Sequence, residues 1–299
     1  MDETDTMVRE VTITRVFDAP RDAVWRAWTD AEQLKQWFMP HGFTVPECTV
    51  DLRPGGVLRM VIQGPDGGES TIDGEFLEVD PPARCVFTTA TFEGSLTGRN
   101  TVTFEDRGSK TELTLHAEVT TSSPELRAAL AGMEEGWLQS LEKLDAFLSG
   151  TEVDRTSRSV IATRVLDAPR ERVWKAYTDP EQVAQWWGPP GSTIETHEID
   201  VSPGGTWRAT LHGAYGDYEQ KMTYVAVQEP QVLAYLYGDP SAPGHAFTMV
   251  ELADEGDKTT VTVTINFASA EERRRMLEEN GAQQGLEMAL DQLANYVAT

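Results

Sequence analysis

Leu58, Met60 and Ile62 alternate with Arg59 and Gln63, the two-residue period of a strand with one dry face and one wet face. Stretches of the same character fill the middle of the first half: "STIDGEFLEV", "ARCVFTTATF", "NTVTFED" and "KTELTLHAEV". Pro-Gly-Gly and Asp-Gly-Gly clusters supply tight turns between them. Together these predict an antiparallel meander. Ahead of it, the β-branched "VTITRVF" predicts another strand, ended by the Asp-Ala-Pro that follows. The period then changes to that of a helix: Val24, Ala27 and Trp28 share a face. Asp30, with Gln33 three residues on, has the arrangement of a helix N-cap and capping box, and opens a second short helix carrying Leu34 and Trp37. After the meander, Leu126, Leu130, Met133, Trp137, Leu141, Leu144 and Leu148 form one apolar stripe, which predicts a single long amphipathic helix. Ser123 before Pro124 is its expected N-cap.

The whole pattern is written twice. "VFDAPRDAVWRAWTDAEQLKQWF" at 16–38 and "VLDAPRERVWKAYTDPEQVAQWW" at 165–187 agree at 14 of 23 positions, 149 residues apart. "DLRPGG" answers "DVSPGG" at the same offset, "KTELTLHAEV" answers "KTTVTVTINF" at 148, and the closing "GWLQSLEKLDAFL" and "GLEMALDQLANYV" return to 149. In the second copy Asp179 and Gln182 repeat the cap, and Leu286, Leu290, Leu293 and Val297 keep the stripe, with Gly281 and Gly285 weakening its middle. The expected organisation is a first domain at 1–149, a polar linker at 150–158 ("SGTEVDRTSR" and its surroundings) and a second domain at 159–299. A single chain is then a pseudo-dimer.

The expected fold class is α+β, with one long helix lying across a curved antiparallel sheet in each domain. A gap between such a sheet and its helix is a natural place for a small ligand.

Composition narrows the partners. The formal net charge is −24, shared evenly by the two halves, which disfavours nucleic acid and anionic membranes. No apolar run is long enough for a membrane span and the acidic N-terminus is unlike a signal peptide. The two cysteines, Cys48 and Cys85, form no CxxC and suit a reducing compartment. The protein is expected in the cytoplasm.

Chemical motifs are sparse. The five histidines are scattered with no metal-ligand spacing, and no nucleophile elbow, phosphate-binding loop or dinucleotide fingerprint occurs. No metal and no cofactor are expected, and no catalytic residue is assigned. The tyrosines are more informative. All seven lie in the second half, where Phe76 becomes Tyr224, Phe87 becomes Tyr235, Phe147 becomes Tyr296 and Trp28 becomes Tyr177. Drift between copies accounts for this, and so does a second cavity furnished with polar handles.

The Asp-Ala-Pro opening, the tryptophan-rich second helix ending in "MPHG" or "GPPG", the Pro-Gly-Gly turn and the "GW…LEKLDAFL" close resemble one family. It is the family similar to the C-terminal domain of the Hsp90 ATPase activator homologue 1, within the START/Bet v 1-like (SRPBCC) superfamily. The resemblance covers almost the whole chain, once per repeat. It implies two helix-grip domains and three functional readings. The first is a binding protein for a small hydrophobic or aromatic ligand in one or both cavities. The second is an enzyme of the cyclase or hydratase kind acting in the second cavity. The third is a chaperone-linked protein-interaction module. For the first reading the expected ligand-binding residues are Trp187, Trp207, Leu211, Tyr224, Tyr235 and Tyr237 in the second domain, with Phe38, Met60, Phe76 and Phe87 in the first.

Overall fold

The computed structural model describes residues 6–64, 67–152, 157–213, 216–238 and 245–298, apart from the side chains of 125, 127 and 128. The chain divides into two compact units, Met1–Asp154 and Arg155–Thr299. Of the expected linker, residues 153–156 lie outside the described residues, as does Asp66 of the Asp-Gly-Gly turn.

In the first unit, β1 (Met7–Phe17) leads through α1 (Arg21–Thr29) and α2 (Ala31–Trp37) into β2 (Thr44–Val50), β3 (Val57–Gln63), β4 (Glu69–Asp80), β5 (Arg84–Thr91), β6 (Leu96–Arg107) and β7 (Lys110–Thr121). A 3-10 turn (Pro124–Leu126), α3 (Arg127–Ala131) and α4 (Met133–Ser149) close it. The second unit runs β8 (Ser159–Leu166), α5 (Arg170–Thr178), α6 (Pro180–Val183), β9 (Thr193–Ile199), β10 (Thr206–Gly213), β11 (Gly216–Gln228) and β12 (Val232–Tyr237). It continues with β13 (Ala246–Asp254), β14 (Thr259–Phe267), α7 (Ala270–Glu278) and α8 (Ala282–Val297). Each unit forms one seven-stranded antiparallel sheet, in the orders β1-β7-β6-β5-β4-β3-β2 and β8-β14-β13-β12-β11-β10-β9. The fold is α+β, a helix-grip domain written twice.

The same local causes act in both copies. The Asp30 carboxylate accepts a hydrogen bond from the Gln33 amide at 3.0 Å and starts α2. Asp179 accepts from the Glu181 and Gln182 amides at 2.9 and 3.2 Å and starts α6. The repeated tryptophan locks the helix pair: Trp37 Nε1 donates to the Ala27 carbonyl at 2.9 Å, and Trp186 Nε1 to Ala176 at 2.8 Å. Thr111 and Thr259, both fully buried, donate to the carbonyls of Ala19 and Ala168 and tie the last strand to the start of the helix pair.

In the Pro-Gly-Gly turns, a Cβ on Gly56 or Gly205 would collide with the carbonyl oxygen of Asp51 or Asp200. Glycine lets the turn close, and its backbone then pairs with Phe76 and with Tyr224. Leu113, Leu115, Leu141 and Leu144 meet on the dry side of the first sheet, all fully buried, each contributing roughly 1.5–3 kcal/mol of burial. Cys85 is a core residue whose thiol burial pushes up to about 12, and Cys48, half-buried, is pushed up to about 11 by the same cause.

The closing helix differs from expectation. The stripe from Leu126 to Leu148 is not one helix. It breaks at Gly132, and α4 begins at Met133. In the second unit Gly281 takes φ +61° and stands at the start of α8, so it bounds that helix instead of weakening its middle. Before it comes the polar helix α7, which carries no buried residue. Its N-cap is Ser269, whose hydroxyl accepts from the Glu272 amide at 3.1 Å.

Candidate functional site

Each unit has a cavity between its closing helix, the end of its second short helix and the strands β5–β7 or β12–β14. The two are equivalent in place. Phe38 and Trp187, Gly98 and Ala246, Asn100 and Thr248, and Trp137 and Leu286 occupy matching positions on their linings. They differ in size, about 200 Å³ in the first unit and about 290 Å³ in the second.

Two exchanges of side chains stand at the deep end. In the first unit Trp137 stacks on Trp28, with centroids 6.1 Å apart, and Phe38 meets Trp137 edge-on at 5.5 Å. Those rings fill the deep end. In the second unit the positions of Trp137 and Trp28 are taken by Leu286 and Tyr177, and the space reaches further in, to Tyr177, Trp186, Tyr235, Val263 and Leu290. The described residues that line it include no charged side chain.

Trp187, Tyr235 and Tyr237 line the second cavity, and Phe38 lines the first. Trp207 stands one layer behind, 3% exposed, with its ring edge-on to Trp187 at 5.2 Å. Leu211 packs against Gly188, where a Cβ would come within 2.6 Å of its Cδ1. Tyr224 is buried edge-on against Tyr235 at 6.3 Å, directly opposite it across β11 and β12. Phe76 and Phe87 repeat that pair in the first unit at 6.0 Å and, with Met60, belong to its packed core. Met60, Phe76, Phe87, Trp207, Leu211 and Tyr224 are therefore not on either cavity's lining.

Tyr177, Thr248 and Leu286 are lining residues that sequence reasoning did not select. The exchange of Trp28 for Tyr177 was the available signal for the first. Tyr215, one of the seven tyrosines, lies outside the described residues.

The phenols on the second cavity's lining, Tyr177, Tyr235 and Tyr237, are held in the un-ionised form. Burial alone holds the Tyr177 hydroxyl well above its ordinary range. Burial is also the largest cause for Tyr235, which is bonded by the Thr248 hydroxyl, and for Tyr237, which is bonded to Tyr218. The Trp187 indole donates to Gln220 Oε1 at 3.1 Å. Elsewhere His212 pairs with Asp217 at 2.8 Å on the sheet surface, which raises its pKa, and His41 pairs with Glu142 at 3.2 Å. Among the described residues, no three His, Cys, Asp or Glu side chains gather to hold a metal ion, and no helix is long and apolar enough to cross a membrane.

A model of the family described as "Activator of Hsp90 ATPase homolog 1-like protein" matches residues 18–149 and again 167–298. Among solved structures, a protein of Nitrosomonas europaea is 28% identical over 50% of this chain and 97% of its own, with a TM-score of 0.42. A Rhizobium leguminosarum protein is 27% identical over 49% of this chain and 97% of its own, with a TM-score of 0.40. A Mycobacterium smegmatis protein is 26% identical over 48% and 93%, with a TM-score of 0.43. No curated protein matches the chain.

Proposed function

The chain belongs, in both of its halves, to the family of Activator of Hsp90 ATPase homolog 1-like proteins, and from that premise we propose that it binds a small apolar or aromatic molecule in the cavity of its second domain. The observation that carries this reading is the exchange of Trp137 for Leu286, which leaves about 290 Å³ open over aromatic walls. That volume is near the lower end for small-molecule sites, and a mostly apolar lining with a few placed polar groups is their usual character. The lining phenols stay protonated, so they serve as hydrogen-bond donors and not as bases.

The reading is tested with fluorene, a neutral three-ring hydrocarbon, titrated against the protein by calorimetry. Wild type should bind one equivalent. Leu286→Trp restores the first domain's plug and should abolish binding while leaving the circular dichroism spectrum unchanged. Binding that survives in a folded Leu286→Trp protein would remove the cavity from consideration.

A further inference from the structure

The wall position shared by Trp28 and Tyr177 carries a donor without a partner in both copies. Trp28 Nε1 is buried with no hydrogen-bond partner among the described residues. It is covered by the apolar face of Trp137. Tyr177 is 6% exposed, and among the described residues its hydroxyl has no partner either. Its ring packs edge-on to Trp186 at 4.9 Å. Here nothing like Trp137 covers the position, and Tyr177 lines the open cavity.

The other polar groups deep in this cavity are already engaged. Trp186 Nε1 is held by Ala176, Trp187 Nε1 by Gln220 and Tyr237 by Tyr218, while the Tyr235 oxygen accepts from the Thr248 hydroxyl. The Tyr177 hydroxyl faces the open cavity, where an acceptor on a bound molecule can take its proton in a hydrogen bond. With no charged residue among the described residues of the lining, an ionised ligand would enter without a counter-charge.

We propose that the second-domain cavity selects an uncharged aromatic molecule carrying one hydrogen-bond acceptor, such as a ketone oxygen, and that the Tyr177 hydroxyl is the donor to that acceptor. This rests on the binding function proposed above and adds the ligand's chemical class. A phenol O–H is a good donor. It can satisfy one carbonyl lone pair while the rest of the molecule lies against Trp187, Leu286 and Leu290. An anionic aromatic of the same size should be excluded.

Fluorenone and fluorene test this, because the two differ in shape only by the carbonyl oxygen. Wild type should bind fluorenone about tenfold more tightly than fluorene, the scale of one well-formed hydrogen bond. Tyr177→Phe should bring fluorenone down to the fluorene level and leave fluorene affinity unchanged. The carbonyl stretching band of bound fluorenone should sit at lower frequency in wild type than in Tyr177→Phe, a readout that loss of packing would not produce. Equal affinities for the two probes in wild type would overturn the assignment of Tyr177 while leaving the binding function standing. So would a fluorenone preference that persists in Tyr177→Phe. Failure of both probes to bind wild type would overturn the binding function and this inference with it.

Discussion

Trp28 stacks on Trp137 with ring planes 18° from parallel, at the deep end of the first domain's cavity. Replacing Trp137 by Leu, the residue at the matching second-domain position, should open it. The protein should then take up two equivalents of fluorene in place of one, measured by calorimetry. Loss of a large aromatic ring costs about 3–5 kcal/mol when the site does not collapse. Trp137 is only partly buried, so the low end applies, and urea unfolding of the first domain should shift accordingly. An unchanged stoichiometry in a folded variant would mean that the neighbouring rings move into the space.

The tyrosines set an alkaline limit on the second domain. Tyr177, Tyr224, Tyr235 and Tyr237 are all held above the ordinary phenol range, mainly by burial. Unfolded tyrosines ionise near pH 10, so above that pH the unfolded chain releases protons that the folded one retains. Stability from these four groups is fully present below about pH 10 and is lost as pH rises toward their folded values. These are four of the seven tyrosines, so more than half of the phenolate absorbance at 295 nm should appear together with the loss of far-ultraviolet circular dichroism. A smooth rise near pH 10 in a protein that is still folded would contradict the burial.

The cap at Asp179 should be measurable because it holds two amides. Asp179→Ala should destabilise the second domain by about 1 kcal/mol, and Asp179→Ser by much less, in urea unfolding followed by circular dichroism. The four-residue α6 has little else to start it. Equal stability of the Ala and Ser variants would show that packing of Trp186 alone fixes that turn.

Much of the fold was legible because two independent signals agreed. The 149-residue repeat set the scale, and the two-residue alternation of Leu58, Met60 and Ile62 marked the dry face, where Leu58 and Met60 are fully buried. The closing helix was less legible. An apolar stripe continues through a break when the flanking turns keep the same face inward, and Gly132 separates α3 from α4 without interrupting the stripe. The site was legible only in part. Alternation says that Tyr224 and Tyr235 face inward but not how far along the sheet the cavity extends. Tyr235 lines it and Tyr224 sits behind. That depth is decided by a helix side chain, Trp137 or Leu286, which belongs to the stripe in either form and so sends no local signal.

Gly56 and Gly205 sit where any side chain would strike a backbone carbonyl, and each anchors an inner-face aromatic, Phe76 or Tyr224, through its own backbone. A side chain at either turn would force the backbone to shift, while cavity positions trade tryptophan for leucine or tyrosine. Two copies of a domain can therefore diverge in what they hold and still be aligned by their turns. The turn glycines hold the frame of each copy, and the positions that distinguish what the copies hold lie elsewhere, on the cavity wall.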